Sequence, residues 1–574
     1  MDFVAFVKEM KQENDKMGVS DELAVSKMRF YKETFKLSDE ELAKVIRTSP
    51  TLLNLDIVSN GPTSIKSKIE FYKKTFNLSD EELAKMVKTL PALLCLDIVS
   101  DEPTSVKSKI EFYKKTFNLS DEELAKIVKA QPVLLGYDIV SNEPTSIKSK
   151  VEFYKKTFKL SDEELAKMIK TSSALLSYDI VSNEPTSIKS KVEFYKQKFK
   201  LSDEELAKMV KASPQLLSHD IISEGPTSAK SKIEFYKKTL KLSDEELAKM
   251  IKAQPVLLGY DIVSNESTSV KSKIEFYKKT FKLSDEELAK MLRTTSVLLS
   301  YDTVSDDPSS VKSKIEFYKK TFKLSDDELA KMVKASPQLL GHDIISDGPT
   351  SAKSKIEFYK KTFKLSDEEL AKMVKAFPQL LNYDIVSDGP TSVKSKVEFY
   401  KKTLKLSEDE FAKMVKTTPV LLGFDTVSDG QTSVKIKIDK LFSIGVTPAH
   451  IVANPTLLMH PAQRVRFRYM MLSLFVSDED IFSSRLLMQG ERKTYARLMY
   501  LVSREKVLRL NYIDTSEKRF QQSFGVTSEE LMKLYPLTEE VVESVINVYN
   551  ATKHRKIELT QEEKESLNEK ERNG

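Results

Sequence analysis

Apolar side chains recur along this chain with the spacing of helices. Ile65, Ile69, Tyr72 and Phe76 follow one another at intervals of four, three and four residues, which places them on one face of a helix. Residues 79–82, Ser-Asp-Glu-Glu, then form a capping box directly ahead of a second apolar series, the typical start of another helix. The pattern therefore predicts two consecutive helices joined by a very short turn.

A proline-led segment follows the second helix. Pro91 opens the sequence Pro-Ala-Leu-Leu, and proline suits the first position of a short helix. Asp97 comes six residues later, ahead of a linker of turn-forming residues, and we expect it to cap a neighbouring turn rather than to bind a metal. One unit is therefore predicted to be helix, helix, short helical turn and loop.

This unit occurs ten times with a period of 41 residues. A Phe-Tyr pair marks the register, and its phenylalanine stands at Phe30, Phe71, Phe112, Phe153, Phe194, Phe235, Phe276, Phe317, Phe358 and Phe399. A fixed period of this size is typical of stacked units that bury their apolar faces against their neighbours. We predict an all-α fold, a right- or left-winding α-solenoid of ten two-helix repeats plus diverged C-terminal repeats.

Four segments follow from this pattern. Residues 1–25 are predicted to form an N-terminal capping segment, residues 26–435 the ten repeats, and residues 436–549 diverged repeats of the same kind. Residues 550–574 are charged and almost lack large apolar side chains, so we expect a disordered tail or a frayed helix there.

Composition argues against several classes of protein. No apolar run approaches the roughly 20 residues that a membrane-spanning helix needs. Cys95 is the single cysteine, which removes a disulfide framework and fits a reducing, intracellular compartment. The five histidines show no metal-binding spacing, and no nucleophile or acid–base constellation stands out. We therefore expect neither an enzyme nor a bound cofactor. The N-terminal residues show no signal peptide and no clear transit peptide.

Charge is balanced within the repeats. The net charge is only +6, and residues 65–105 hold six lysines and seven acidic residues. The lysines at 73, 74, 85 and 88, with their equivalents, have two readings. They form a solvated face balanced by neighbouring acids, or each repeat contributes phosphate contacts along a groove. A basic stripe requires the charges to lie on different faces.

Arginine is concentrated near the C-terminus. Three arginines precede residue 435 and eleven follow it. The planar guanidinium suits phosphate because it donates two parallel hydrogen bonds. The predicted nucleic-acid-binding residues are Arg464, Arg466, Arg468, Arg485, Arg492, Lys493, Arg497, Arg504 and Arg509. The alternative is that they pair with Glu491, Glu505 and Asp480.

Two repeated features raise recognition hypotheses. The Phe-Tyr pairs resemble a base-stacking ladder, but their helical spacing favours a place in the core. The dipeptide before each loop aspartate varies, for example Gly-Tyr at 136–137 and Ser-His at 218–219, which suggests one recognition position per repeat. Residues 131–252 and 254–375 match almost completely, so much of this variation is copied, which argues against a code.

Two helices followed by Pro-x-Leu-Leu, in tandem, resemble the repeat of the mitochondrial transcription termination factor (mTERF) family. The resemblance covers about residues 26–545 and rests on segments such as 78–83 (LSDEEL), 91–94 (PALL), 441–448 (LFSIGVTP), 454–458 (NPTLL) and 524–531 (FGVTSEEL). It implies a curved, two-layered α-solenoid that binds duplex DNA, or sometimes structured RNA, along a basic concave surface. It further implies a role in organellar transcription, termination or ribosome assembly, and a mitochondrial location.

The sequence thus predicts a non-enzymatic nucleic-acid-binding protein. Duplex DNA is favoured over RNA as the partner, with a role in transcription termination or regulation. Two alternatives stay open: a factor that binds structured RNA, and a protein-binding scaffold without nucleic acid. A monomer is expected, with no membrane partner.

Overall fold

The computed structural model describes residues 2–13, 18–428, 433–504 and 510–568. Every regular element in these residues is a helix. The chain divides into two compact units, residues 1–279 with 283–300 and residues 280–282 with 301–574. The predicted all-α solenoid of 41-residue helix pairs is confirmed.

Each of the ten repeats consists of a helix A, a helix B and a 3₁₀ turn. The A helices are Asp21–Thr34, Ile65–Phe76, Val106–Phe117, Ile147–Phe158, Ile188–Phe199, Ala229–Thr239, Val270–Phe281, Val311–Phe322, Ala352–Phe363 and Val393–Leu404. The B helices are Asp39–Thr48, Asp80–Thr89, Asp121–Ala130, Asp162–Thr171, Asp203–Ala212, Asp244–Ala253, Asp285–Thr294, Asp326–Ala335, Asp367–Ala376 and Glu408–Thr417. The 3₁₀ turns are Pro50–Asn54, Pro91–Cys95, Pro132–Gly136, Ser173–Ser177, Pro214–Ser218, Pro255–Gly259, Ser296–Ser300, Pro337–Gly341, Pro378–Asn382 and Pro419–Gly423.

Further helices flank the repeats. Phe3–Glu13 precedes them and packs against the first helix A. The elements after the repeats are Val434–Ser443, Pro448–Ala453, the 3₁₀ turn Pro455–Met459, Ala462–Ser473, Asp478–Ser483, the 3₁₀ turn Leu486–Met488, Glu491–Ser503, Leu510–Ile513, Glu517–Phe524, Ser528–Leu534, Glu539–Thr552 and Gln561–Asn568.

Local sequence explains where the repeat helices begin and end. The Ser64 hydroxyl accepts the backbone N–H of Ser67 at the start of helix A. Ser79 and Glu82 form the predicted capping box at the start of helix B, each side chain bonding the other residue's N–H. Helix A ends at Asn77, whose φ of +47° reverses the chain direction.

Two buried side chains of helix A hold the 3₁₀ turn of the same repeat. The Tyr72 hydroxyl donates to the Leu93 carbonyl oxygen, and the Lys68 ammonium donates to the Leu94 carbonyl oxygen, each at 2.8 Å. Both bonds recur in all ten repeats. Lys68 satisfies the Leu94 carbonyl at the end of the short helix. Tyr72 adds a second donor to the Leu93 carbonyl, which also accepts the Leu96 backbone N–H at 3.3 Å. Each repeat is therefore closed by its own polar pair.

Successive repeats are joined by packing and by ion pairs. Helix A contacts helix B of the following repeat. Glu82, which caps its own helix B, also accepts Lys129 of the next helix B at 3.0 Å. The same Lys129 donates to the Asn77 carbonyl oxygen at 2.9 Å. One glutamate therefore caps a helix and links two repeats.

The loop aspartates cap turns, as predicted. Asp97 accepts the Val99 backbone N–H at 2.9 Å and is also bonded by the Ser100 hydroxyl. Its own carbonyl oxygen accepts the Val106 N–H at 2.7 Å, which ties the loop to the next helix A. The linker is therefore fixed at both ends.

Two elements of the structure differ from the predicted segments. The first helix A begins at Asp21, inside the predicted capping segment, because Ser20 supplies its N-cap. Residues 550–568, predicted to be disordered or a frayed helix, include a short helix and buried apolar side chains. Ile557, Leu559 and Leu567 are buried there, and the helix Gln561–Asn568 packs against Ala462–Ser473. Residues 569–574 lie outside the described residues.

We predict that Tyr154→Phe lowers the free energy of unfolding by about 1 kcal/mol, because it leaves the buried Leu175 carbonyl without its hydroxyl donor. Urea unfolding, followed by hydrogen exchange of the amides in Ser173–Ser177, measures this loss. Tyr178→Phe is the matched control, because the Tyr178 hydroxyl takes part in no such bond among the described residues. Equal losses from the two substitutions contradict the role of the hydroxyl.

Candidate nucleic-acid interface

Two of the predicted phosphate-binding arginines pair with one buried glutamate. Glu491, the first residue of Glu491–Ser503, is fully buried. It accepts Arg468 at 2.8 Å and Arg464 at 2.5 Å. Arg468 also donates to the Leu487 carbonyl oxygen at 2.7 Å and is 2% exposed. These contacts match the alternative that assigned Glu491 as the partner, and they hold Arg468 away from solvent.

Arg497 is also an internal residue. Its guanidinium donates to the carbonyl oxygens of Ile513 and Thr515, to the Ser528 hydroxyl and to the Glu517 carboxylate, at 2.7–2.9 Å. Burial alone raises the pKa of Glu517, but the hydrogen bonds from Ser528 and Lys493 and the charge of Arg497 lower this pKa to about 2. These bonds join Glu491–Ser503 to the helices that contain Ile513, Glu517 and Ser528. Arg497 is 0% exposed, so its side chain faces no ligand.

The remaining predicted residues have different environments. Arg485 and Arg504 are exposed, and their side chains have no ion-pair partner among the described residues. Arg492 and Lys493 are half-buried, and Lys493 contacts Glu517 at 3.3 Å. Arg509 lies outside the described residues.

Arg466 contacts the C-terminal segment. It is 8% exposed and donates to the Glu558 carbonyl oxygen at 2.8 Å, while its Nε has no hydrogen-bond partner. Glu563 lies 3.7 Å from this guanidinium. Arg466 is therefore covered rather than exposed.

Sequence reasoning missed two exposed cations, Lys518 and Arg519. Both lie on the outer face of Glu517–Phe524, whose inner face buries Phe520. Neither side chain has an ion-pair partner among the described residues. The helical spacing of Phe520 and Phe524 was the signal that could have placed them outside.

The lysines and acids of a repeat lie on different elements. Helix Ile65–Phe76 holds four lysines and one glutamate, helix Asp80–Thr89 holds three acids and two lysines, and residues 96–105 hold three acids and no lysine. Charges that cancel over a whole repeat are therefore separated in space. Helix A is the basic element of each repeat from the second to the tenth.

The four lysines of helix A have four environments. Lys68 is buried, and burial lowers its pKa. Lys73 pairs with Asp80 at 2.7 Å, a bond present in every repeat. The position of Lys66 faces linker acids in several repeats, as in Lys107–Asp101.

Lys74 is different because it points away from the core. It lies on the side of helix A opposite Tyr72 and has no hydrogen-bond or ion-pair partner among the described residues. Eight repeats place an exposed lysine here: Lys74, Lys115, Lys156, Lys238, Lys279, Lys320, Lys361 and Lys402. We call this set the helix-A lysines.

Helix B carries a comparable exposed lysine in an acidic setting. Lys85 also lacks a partner among the described residues, but Asp80, Glu81 and Glu82 lie on the same helix. Its second lysine, Lys88, pairs with Glu41 of the preceding repeat at 2.7 Å. Helix B therefore carries no excess of positive charge.

The repeated aromatic residues support the fold. Tyr72 is fully buried, and Phe71 packs against it edge to face at 5.5 Å. The second residue of the varied dipeptide packs on the next repeat, since the Lys150 ammonium lies 4.6 Å from the Tyr137 ring centroid. The same contact recurs at Tyr178, Tyr260, Tyr301, Tyr383 and Phe424. This position thus covers a buried ammonium.

Two repeats place histidine at that position. Burial, with the nearby charges of Lys232 and Lys191, lowers the pKa of His219 to about 4. Its Nε2 is buried without a hydrogen-bond partner. His342, in the equivalent place, also has a pKa lowered to about 4, chiefly by burial. Both rings are neutral at pH 7.

The fold defines a helical-repeat protein of two-helix units. A family model described as mTERF matches residues 10–127, 115–291 and 279–475. The chain therefore belongs to the mTERF family, whose members are helical-repeat proteins associated with nucleic-acid binding. No curated protein matches the chain.

The described residues contain neither a candidate membrane-spanning helix nor a candidate metal site. None of their helices is long and apolar enough to span a membrane. Among the same residues, no group of three or more histidine, cysteine or acidic side chains is arranged to hold a metal ion.

We predict that Glu491→Gln destabilises the C-terminal unit by about 3–5 kcal/mol, because it leaves Arg464 and Arg468 without their shared buried carboxylate. Urea unfolding with hydrogen exchange in Ala462–Ser473 measures the change. Glu529→Gln makes the same substitution at an exposed pair with Lys533 and is expected to cost under about 0.5 kcal/mol. Similar costs for the two variants contradict this assignment.

Acid is predicted to destabilise the repeats through His219 and His342. The unfolded chain binds protons near the ordinary histidine pKa of 6.5, whereas the folded rings bind them only near pH 4. Stability is therefore full above pH 6.5 and falls as the pH drops toward 4, by about 2 kcal/mol per histidine at pH 4.5.

Tyrosine is the natural replacement for these two histidines, because other repeats carry tyrosine at this position. His219→Tyr with His342→Tyr removes both rings, and the melting temperature is compared at pH 7.5 and 4.5. A smaller acid-induced drop in the double variant is expected. An equal drop in both proteins rules out the two histidines as the cause.

Proposed function

We propose that this protein binds duplex DNA without catalysing a reaction and acts in transcription termination or regulation. The observation that carries this proposal is the segregation of charge in the repeats. In eight repeats, helix A carries one outward lysine that has no partner among the described residues, while acids gather on helix B and the linker. A regular series of ammonium groups suits the regular charges of a nucleic-acid backbone.

The contacts are expected to position the nucleic acid rather than to read its bases. Lysine is a flexible point charge that contacts phosphate oxygens without selecting a sequence. The aromatic side chains that could stack on bases are engaged in the core, as Tyr72 shows. Binding is therefore proposed to depend strongly on salt and weakly on sequence.

The C-terminal helices carry further exposed cations. Arg485, Arg504, Lys518 and Arg519 are exposed and have no side-chain ion-pair partner among the described residues. They replace Arg468 and Arg497, which are held inside the fold, as proposed phosphate contacts in this part of the chain. Arginine at three of these positions offers bidentate contacts that lysine lacks.

The biological setting is proposed from family membership alone. Members of the mTERF family typically work in organelles, so a mitochondrial or other organellar location follows as a proposal. A monomer is the proposed binding form.

Paired sets of lysine substitutions test the proposal. The test variant replaces Lys74, Lys115, Lys156 and Lys238 with glutamine, and the control variant replaces Lys85, Lys126, Lys167 and Lys208. Both variants lose the same charge from exposed helical positions whose side chains have no partner in the described part of the chain. Affinity for a random duplex is measured across a salt series by fluorescence anisotropy.

The test variant is expected to bind at least about 10-fold more weakly, and the slope of log affinity against log salt is expected to fall by about 3–4. The control variant should change little, because its lysines lie on the acidic helix B. Equal losses in both variants contradict a specific role for helix A. Stronger competition by structured RNA than by duplex favours the RNA alternative, and no binding to either at low salt overturns the proposal.

A further inference from the structure

The last part of the described chain covers basic side chains. Residues 557–568, here called the covering segment, lie against Val434–Ser443 and Ala462–Ser473. The segment contains four glutamates and one lysine. Its acidic composition complements the cations beneath it.

Three cations of the two underlying helices receive oxygen atoms from this segment. Lys440 bonds the Glu563 carboxylate at 2.6 Å. Arg464 donates to the Ser566 carbonyl oxygen at 2.9 Å, and Arg466 donates to the Glu558 carbonyl oxygen at 2.8 Å. The segment thus presents one carboxylate and two carbonyl oxygens to three basic side chains.

One buried nitrogen atom of these three basic side chains has no hydrogen-bond partner among the described residues. The Arg466 Nε is buried without a hydrogen-bond partner, although the residue is 8% exposed. Glu563 approaches the same guanidinium only to 3.7 Å. A phosphate group offers more oxygen acceptors than one carboxylate does, and it pairs with guanidinium in a bidentate manner.

We infer that Lys440, Arg464 and Arg466 form a phosphate-binding site for the nucleic-acid backbone, which the covering segment occupies as an internal competitor. The inference rests on the proposed function and adds its regulation. Glu563 takes the place of a backbone phosphate, and bound nucleic acid displaces the segment. Affinity for the backbone then reflects the fraction of molecules in which the segment is released.

The construction of the segment fits release. Its helix, Gln561–Asn568, has eight residues, and isolated helices of this length are marginal in water. Ile557, Leu559 and Leu567 hold it through apolar contacts. The helix therefore depends on docking, and losing the ionic contacts shifts the balance toward the released state.

Glu563→Gln is the decisive variant in the full-length protein. Glutamine at this position can still cap the helix with Thr560, so the charge is lost while the cap is kept. Glu565→Gln is the matched control, because it makes the same charge change on the same helix at an exposed residue whose one side-chain bond among the described residues is from Gln561.

Duplex affinity is measured at several salt concentrations, together with hydrogen exchange of residues 557–568. Glu563→Gln is expected to bind about 3- to 10-fold more tightly with a salt slope steeper by about 2, while Glu565→Gln changes affinity less than about twofold. Adding duplex to the wild-type protein is expected to increase exchange in the segment. A chain ending at Lys556 should bind more tightly still, and adding Arg466→Gln to it should cancel that gain.

The outcomes separate the two ideas. If the wild-type protein binds duplex, Glu563→Gln binds equally and the segment stays protected, the internal competitor is overturned and the proposed function stands. If neither the wild-type protein nor the chain ending at Lys556 binds, both are overturned.

Discussion

The closure of the 3₁₀ turn by helix A is the constraint on which the repeat depends. A short turn leaves carbonyl groups without internal donors, and burying them unpaired is costly. Lys68 supplies such a donor to the Leu94 carbonyl, Tyr72 adds a second donor to the Leu93 carbonyl, and equivalent pairs do the same in the other repeats. This closure buries the Lys68 ammonium, so neighbouring groups must compensate for the hydration that the ammonium loses. Asp97 of the same repeat supplies part of this compensation, and an aromatic ring of the preceding repeat commonly supplies more.

The same arrangement explains how charge is distributed. Once Lys68 is committed to the turn and Lys73 to Asp80, the helical rotation places Lys74 on the opposite side from the core. Acids are equally committed, since Glu82 caps helix B and pairs with Lys129. A repeat that is nearly neutral in sequence thus exposes a positive helix A beside a negative helix B. The separation of positive and negative charge therefore follows from the hydrogen bonds and ion pairs that hold the repeats together.

The sequence allowed the repeat to be predicted in detail because its signals are local. The capping box at Ser79, the proline at Pro91 and the apolar spacing around Tyr72 each act within a few residues. The arginine site could not be predicted in the same way, because its partners are distant in sequence. Arg468 meets Glu491 across 23 residues and Arg466 meets Glu558 across 92. A count of cations cannot distinguish a phosphate contact from an internal ion pair.

Arginine and lysine therefore divide their roles between the two parts of the chain. Arg468 and Arg497 each satisfy several acceptors at once, which the fixed planar donor set of arginine makes possible in a buried place. Lys74 and its equivalents need no such geometry, because an exposed ammonium on a flexible stem keeps its hydration and reaches mobile partners. The arginine-rich C-terminal part of the chain thus serves largely to join the diverged C-terminal helices. The regular exposed series of cations suited to phosphate lies on the lysines of the repeats, whose positions the Tyr72-type closure fixes.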